Sequence, residues 1–216
     1  MNDDVQKALS LYSNIGWKKW FSKIRFWDAP YIELEHMIPQ NGNILDIGCG
    51  EGVFTNYLAI RSKKRNLIGI DADNQRITHA QEASIKLSNA TFIEGDVTKL
   101  ELPSADIIIM VHVLHHLSSF FDQVKLIKQC KKKLKSSGKL IIVEVEPKAS
   151  FKYFVTWLTD HFLVPLLFEH KLYSPIYFRK GKEWKKVLKR DGFNCNIINA
   201  EQNHPFTHII LECQKS

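Results

Sequence analysis

Asp46, Gly48, Gly50 and Gly52 alternate with other residues in the stretch 43–59, NILDIGCGEGVFTNYLA. Ile44, Leu45 and Ile47 form an apolar run that reads as a short buried strand. Phe54, Tyr57 and Leu58 then recur at helical spacing. A strand, a glycine-rich turn and a helix N-terminus in that order make a cradle for a nucleotide cofactor. Glycine lets the backbone turn sharply and approach a ligand closely, and the first helical turn offers N–H donors. A dinucleotide fold carries its third glycine three residues after the second. Here that place is Val53, and the third glycine arrives one residue early, at Gly52. The carboxylate of Asp46 would also serve a pyrophosphate poorly. It suits a cofactor with a cationic amino acid end and no phosphate. A second group lies in 110–117, MVHVLHHL, which holds His112, His115 and His116. Histidine is the natural general base near neutral pH.

The elements that must position these residues follow from hydrophobic pattern. Apolar runs at 66–71, 90–96, 105–112 and 139–145 predict strands, with helices at 74–87, 119–134 and 183–190. Runs at 194–199 and 207–213, joined by the short connection 200–206, predict a closing hairpin. Alternating strands and helices predict a parallel sheet covered on both faces. The near-continuous apolar strands agree, since parallel strands are buried on both sides. The fold class is therefore α/β, a Rossmann-like doubly wound sheet. Ligands of such sheets bind at the carboxyl ends of the strands, where the glycine turn and the three histidines both fall. By length the chain is one domain, residues 1–216.

At this point the chain resembles the class I S-adenosylmethionine-dependent methyltransferases, whose first motif is an acid followed by G-x-G-x-G. The resemblance covers about residues 40–147 and 183–215. It implies seven strands with the last antiparallel, and S-adenosyl-L-methionine as cofactor. It implies that Gly48, Cys49, Gly50 and Gly52 cradle the methionine end and that Asp46 helps to fix its ammonium. Asp71, at the end of the second strand, would accept the ribose hydroxyls, with capping of the next helix as the alternative. Ala72 would leave room beside the adenine. Asp96 would bind the adenine amino group and the Val97 N–H a ring nitrogen; a plain turn is the other reading of Asp96. Asp106 reads as structural. His112 would line the cofactor. A paired histidine recurs in small-molecule members, which makes His115, then His116, candidates for the catalytic base. The alternative is that both rings only pack and that proximity carries the reaction.

Two segments fall outside the resemblance. Residues 148–181 are aromatic and are broken by Pro165 and Pro175, which predicts a helical cap inserted after the fifth strand. Tyr153, Trp157, His161 and Tyr177 from this cap, with Glu144 and His204 from neighbouring loops, are candidate substrate-binding residues. At the N-terminus, residues 1–39 read as lid helices. Trp17, Trp20, Phe21, Ile24 and Trp27 recur at spacings of three and four, with Lys18, Lys19, Lys23 and Arg25 between them. This helix reads as a lid over the cofactor, with Trp20 as a candidate substrate contact. The other reading is an interfacial membrane helix, and the two are compatible.

The net charge is +7 and the pI about 9.1. That balance suits nucleic acid, an anionic membrane or an acidic substrate. The clusters at 61–65 and 131–135 have a simpler reading as solvated helix ends, where cations complement the dipole. The cysteines at 49, 130, 195 and 213 are scattered with no C-x-x-C pair, so neither a metal site nor a disulfide framework is expected. The N-terminus lacks a signal peptide pattern, and no apolar run reaches the ~20 residues of a membrane span. A cytoplasmic enzyme, in peripheral contact with the inner membrane surface if the basic helix docks there, is the expectation.

No N/D-P-P-Y follows the fourth strand, which disfavours an amino acceptor on adenine or glutamine. No cysteine stands where a cytosine C5 enzyme needs its nucleophile. The expected function is SN2 methyl transfer to a small hydrophobic acceptor, on oxygen, free in solution, lipid-like or carrier-tethered. General similarity to bacterial methyltransferases of polyketide-like and aryl-polyene-type pathways points to secondary metabolite biosynthesis. The alternatives are an RNA or other nucleic-acid methyltransferase, disfavoured for want of an RNA-binding appendage, and a non-catalytic cofactor-binding partner subunit.

Overall fold

The computed structural model describes residues 3–12, 18–147, 176–200 and 207–216, with the side chains of 18–21 left aside. Seven strands form one sheet: β1 (Gly42–Ile47), β2 (Arg65–Asp71), β3 (Ala90–Glu94), β4 (Ala105–Val111), β5 (Leu134–Val145), β6 (Phe193–Asn199) and β7 (His208–Lys215). Their order is β3-β2-β1-β4-β5-β7-β6. The pairs among β1 to β5 are parallel, and β7 lies antiparallel between β5 and β6. The order reverses between β1 and β4, and the crevice at such a switch point is where open α/β sheets bind ligands.

Seven helices accompany the sheet among the described residues: α1 (Asp3–Ser10), α2 (Lys18–Asp28), α3 (Tyr31–Met37), α4 (Val53–Arg61), α5 (Asn74–Ser84), α6 (Phe120–Lys133) and α7 (Gly181–Arg190). Successive strand residues face opposite sides, and the central strands are apolar on both. Ile44, Ile107, Ile109, Ile141 and Val143 pack with residues of α1, α3 and α4. Their neighbours Leu45, Ile108, Met110, Leu140 and Ile142 pack with Leu126 and Ile127 of α6 and Trp184 and Leu188 of α7. The cap of α6 is Ser119, whose hydroxyl accepts the Asp122 N–H at 3.1 Å, and Lys131, Lys132 and Lys133 complement its C-terminal dipole.

Several elements depart from the sequence reading. α1 was not anticipated, yet Val5, Ala8, Leu9 and Tyr12 are all buried, a helical stripe continued one turn past its end. Against it lies α4, buried from Val53 to Ala59, the pattern of a helix covered all round. β5 begins at Leu134 rather than 139, because Leu134 pairs with Ala105 before a bulge shifts the register to Ile107–Lys139. α5 stops at Ser84 instead of 87.

Two expectations from composition are corrected. Cys195 and Cys213 form a disulfide: they face each other in register on β6 and β7 with Cα atoms 4.1 Å apart. The hairpin register that aligns them has no local signature. Arg65 is not a solvated helix end but is fully buried. Its guanidinium donates to Glu35 Oε1 at 3.0 Å and to the carbonyls of Ile38 and Pro39 at 2.9 and 2.8 Å. Arg61 adds Asp4 at 2.6 Å and Glu35 at 3.4 Å. This network ties α1 and α3 to the amino edge of the sheet. Removing one partner of a buried ion pair strands the other charge. Glu35→Ala should therefore cost about 3–5 kcal/mol in urea-induced unfolding; a loss below about 1 kcal/mol would show that the network contributes little.

Candidate active site

The turn after β1 is built on backbone that only glycine adopts cheaply. Gly48, Gly50 and Gly52 have φ of 68°, 55° and 73°, in the left-handed region. The N–H groups of Gly48 and Cys49 both donate to the Ile70 carbonyl, at 2.7 and 3.0 Å. A Cβ on Gly48 would stand 2.4 Å from the Val113 side chain and one on Gly52 2.6 Å from Phe92, whereas one on Gly50 would meet nothing within 4 Å. Two glycines are thus demanded by packing, and the middle one borders open space.

Asp71 spends its carboxylate on this turn. Oδ2 accepts the Gly50 N–H at 2.8 Å and Oδ1 the Asp73 N–H at 3.0 Å. It is not the cap of α5; Asp73 is, accepting the Arg76 N–H at 3.1 Å. Ionised carboxylates have about four acceptor sites, so two hydroxyls still fit. Ala72 beside it is exposed. Asp46 is buried beneath the turn and accepts the Thr55 hydroxyl at 2.5 Å. Burial, and more weakly the Asp71 charge, push its pKa up to about 7 against the pull of Thr55. Cys49 packs its side chain against the small cluster of Ile77, Ala80 and Phe92, and burial drives its thiol pKa well above the ordinary value.

Asp96 serves a turn. Oδ1 accepts the Thr98 hydroxyl and N–H at 2.6 and 2.9 Å, and Lys99 lies 2.9 Å from Oδ2. Thr98 first, then Lys99, hold its pKa down to about 2. The Val97 side chain is in the core. Asp106 is structural, accepting the Asn43 N–H and Lys135, each at 2.8 Å.

The three histidines differ. His112 follows β4 with φ 57°, a left-handed conformation uncommon for a residue with a side chain. Its ring stacks on His208 at 4.7 Å, and its Nδ1 is 4.0 Å from Asp28 of α2. Burial first, then His208, lower its pKa well below the usual value, so it is neutral at pH 7. His115 is buried, with Nδ1 2.5 Å from Glu144 Oε2. Glu144 Oε1 accepts the Leu114 N–H at 2.8 Å, which fixes the turn Leu114–His116 to β5. The Phe178 ring stacks on His115 at 4.9 Å, and the Tyr177 N–H donates to the His115 carbonyl at 2.9 Å. His116 is exposed, its ring 4.2 Å from that of His115.

The structure thus gathers Asp46, the glycine turn, Asp71, His112, His115, Glu144 and Tyr177 along one edge. Tyr153, Trp157, His161 and His204 lie outside the described residues, as does the Trp20 side chain. α2 packs one face on the domain: Ser22 and Asp28 are buried, and Phe26 meets Tyr31 and Tyr57 edge-on at 5.3 and 5.2 Å. Sequence reasoning missed Tyr12, Asp28, Thr55 and His208. Tyr12 donates to the Glu51 carbonyl at 2.8 Å and accepts Asn56 Nδ2 at 2.9 Å, bracing the turn from behind.

A family model described as a methyltransferase domain matches residues 45–142, from β1 through the middle of β5. Over these residues the chain matches a methyltransferase domain, and its relatives include S-adenosylmethionine-dependent methyltransferases. A probable S-adenosylmethionine-dependent methyltransferase of Mycobacterium tuberculosis is 26% identical over 102 residues, 46% of this chain and 34% of that protein. Myricetin 3'/5'-O-methyltransferase 1 of Solanum habrochaites is 28% identical over 156 residues, 69% of this chain and 39% of that protein. The chain thus spans little more than a third of the length of these curated relatives. The structure of DhpI, solved with SAH, superposes with a TM-score of 0.69 at 17% identity, covering 98% of this chain and 97% of that one.

Two measurements follow from the methyltransferase cradle. Gly50→Ala should keep the fold, with a strain of about 1–2 kcal/mol, yet weaken S-adenosylhomocysteine binding at least about tenfold by placing a methyl in the cleft. Calorimetry showing wild-type affinity would mean that the ligand does not approach Gly50. Asp46 has a folded pKa near 7 against 3.8 for the ordinary carboxyl. The stabilisation from its retained proton is complete below 3.8 and lost as pH rises through about 7. A cofactor ammonium favours the ionised form, so binding should release a proton and tighten by up to about tenfold per pH unit approaching pH 7. Affinity that is flat from about pH 5.5 to 7.5, or a slope that survives Asp46→Asn, would contradict this.

Proposed function

We propose that this methyltransferase moves a methyl group to the oxygen of a small hydrophobic acceptor, with the buried His115–Glu144 pair receiving the acceptor's proton. That pair, with its 2.5 Å contact, carries the reading. A neutral alcohol is a weak nucleophile, and its methylated product would be cationic until a proton left. With Glu144 accepting from Nδ1, the tautomer that leaves the lone pair on Nε2 is favoured. Nε2 is then the proton acceptor. His116 is the exposed neighbour, and Tyr177, whose N–H bonds the His115 carbonyl, would border the acceptor.

The cofactor residues fit their assigned ligand. Gly50 borders open space with a left-handed backbone, so a methionine chain can lie against it. Asp46 is a buried carboxylate suited to an ammonium, and Asp71 keeps acceptor capacity for ribose hydroxyls. Asp96 would have to give up part of its hold on Lys99 to meet an adenine amino group, so the Val97 N–H is the firmer adenine contact. His112 would line the sulfur. Bound S-adenosylmethionine supplies a methyl on a sulfonium, which an oxygen displaces in line. The relative that methylates myricetin oxygens supports the choice of atom. The acceptor's place in secondary metabolism and the enzyme's cytoplasmic setting are part of the same proposal.

The test uses methyl-labelled S-adenosylmethionine with purified protein and extract from the source cells, split into lipid-soluble, small polar, RNA and protein fractions. Label is expected in the lipid-soluble fraction. His115→Ala should lower kcat by about 10²–10⁴-fold while calorimetric S-adenosylhomocysteine binding stays intact. Label in RNA would favour the nucleic-acid alternative suggested by the +7 charge. Cofactor binding without label in any fraction would favour a non-catalytic subunit. Full activity of His115→Ala would remove the proton-acceptor role.

A further inference from the structure

Of the large apolar side chains exposed among the described residues, several share one edge of the sheet, while Ile85 stands apart after α5. Three large aromatic residues are exposed among the described residues: Trp27 at 60%, Phe120 at 45% and Phe121 at 75%. Trp27 is in the last turn of α2, next to Asp28, whose carboxylate is 4.0 Å from His112 at the end of β4. Phe120 and Phe121 open α6, directly after the histidine turn that follows β4. All three therefore sit at the carboxyl edge of the sheet. Ile93 and Ile198, near the ends of β3 and β6, are exposed at the same edge.

Cations stand one turn behind both aromatic tips. Lys23 precedes Trp27 by four residues on α2, and Lys125 follows Phe121 by four on α6; both lysines are exposed. Residues four apart share a helix face. Because α2 ends and α6 begins at this edge, each lysine is set back from it by about 6 Å. Of the acids near this edge, Asp28 is buried beside the histidines, Asp122 accepts the Ser119 hydroxyl at 2.7 Å and Asp96 pairs with Lys99, while Glu94 is exposed beside Asn74. Aromatic rings ahead of lysines match the depth profile of a bilayer interface, in which rings enter the headgroup boundary and ammonium groups meet lipid phosphates.

We propose that the carboxyl edge is a membrane-docking face, with Trp27 and Phe121 entering an anionic bilayer, Lys23 and Lys125 on its headgroups, and Phe120 held back by Arg179 and Tyr177. The sequence pattern placed such a contact on the N-terminal helix alone. The structure adds α6, and two anchors orient a protein on a surface as one does not. Docking this way turns the site's own edge toward the lipid. The inference does not depend on the acceptor or on His115.

The test is sedimentation of the full chain with vesicles of phosphatidylcholine alone or with about 30% phosphatidylglycerol. Binding is expected to the anionic vesicles, to fall as salt rises, and to fall at least about tenfold in the double variant Trp27→Ser, Phe121→Ser. Lys23→Glu with Lys125→Glu should weaken anionic binding while leaving the weak phosphatidylcholine binding in place. Both pairs are exposed, so thermal melting should confirm that the variants stay folded. The proposal is overturned if anionic vesicles fail to sediment the chain, or if the aromatic double variant binds as well as wild type. Tighter capture by single-stranded RNA, unaffected by the aromatic changes, would also overturn it by giving the cations to nucleic acid.

Discussion

The hydrogen bonds from the Gly50 and Asp73 N–H groups to the Asp71 carboxylate, at 2.8 and 3.0 Å, are the joint on which the cofactor side of the molecule depends. They fasten the turn after β1 to the end of β2. With the Ile70 carbonyl holding Gly48 and Cys49, the loop has one shape before any ligand arrives. Left-handed backbone at three glycines would otherwise be one conformer among many. Because the loop is held, α4 starts where Thr55 can reach Asp46, and a carboxylate can stay buried beneath an open cleft. The cost of burying it is visible in its raised pKa.

The histidine turn after β4 is organised by a second carboxylate in the same way. Glu144 holds the Leu114 N–H with one oxygen and His115 with the other, so the histidine turn cannot move independently of β5. Gln123 of α6 continues the chain, donating to the carbonyls of Leu114 and Tyr177 at 3.0 and 2.7 Å and accepting Arg179 Nε at 2.7 Å. A buried polar network with its members paired specifies one arrangement. Here it specifies where residues 176–180 return to the sheet.

Much of this was legible in the sequence, for local reasons. The strands were visible as apolar runs, and the departure from G-x-G-x-x-G spacing removed dinucleotides from consideration. The closing hairpin was visible in the short connection 200–206, and family resemblance implied that its last strand runs antiparallel within the sheet. What escaped notice depends on contacts between distant segments. Arg65 lies in a basic cluster that looks solvated, and only the approach of Glu35 explains its burial. Cys195 and Cys213 meet because of hairpin register. His208 looked like an ordinary strand residue until β7 settled beside β5 and brought it onto His112. Asp71 was expected to face the ribose; its hold on the turn itself had no signal in spacing.

Tyr12 has a consequence for where this domain ends. The matched family region begins at Leu45, yet the carbonyl of Glu51 in the glycine turn is held by a hydroxyl from Tyr12, far upstream. The buried outer face of α4 is likewise covered by α1. The portion shared with distant relatives is therefore not a self-sufficient module. A chimera that grafts a foreign N-terminal segment onto it would inherit the cofactor loop but lose its buttress. In this chain the segment ahead of the matched region is part of what keeps that region in shape.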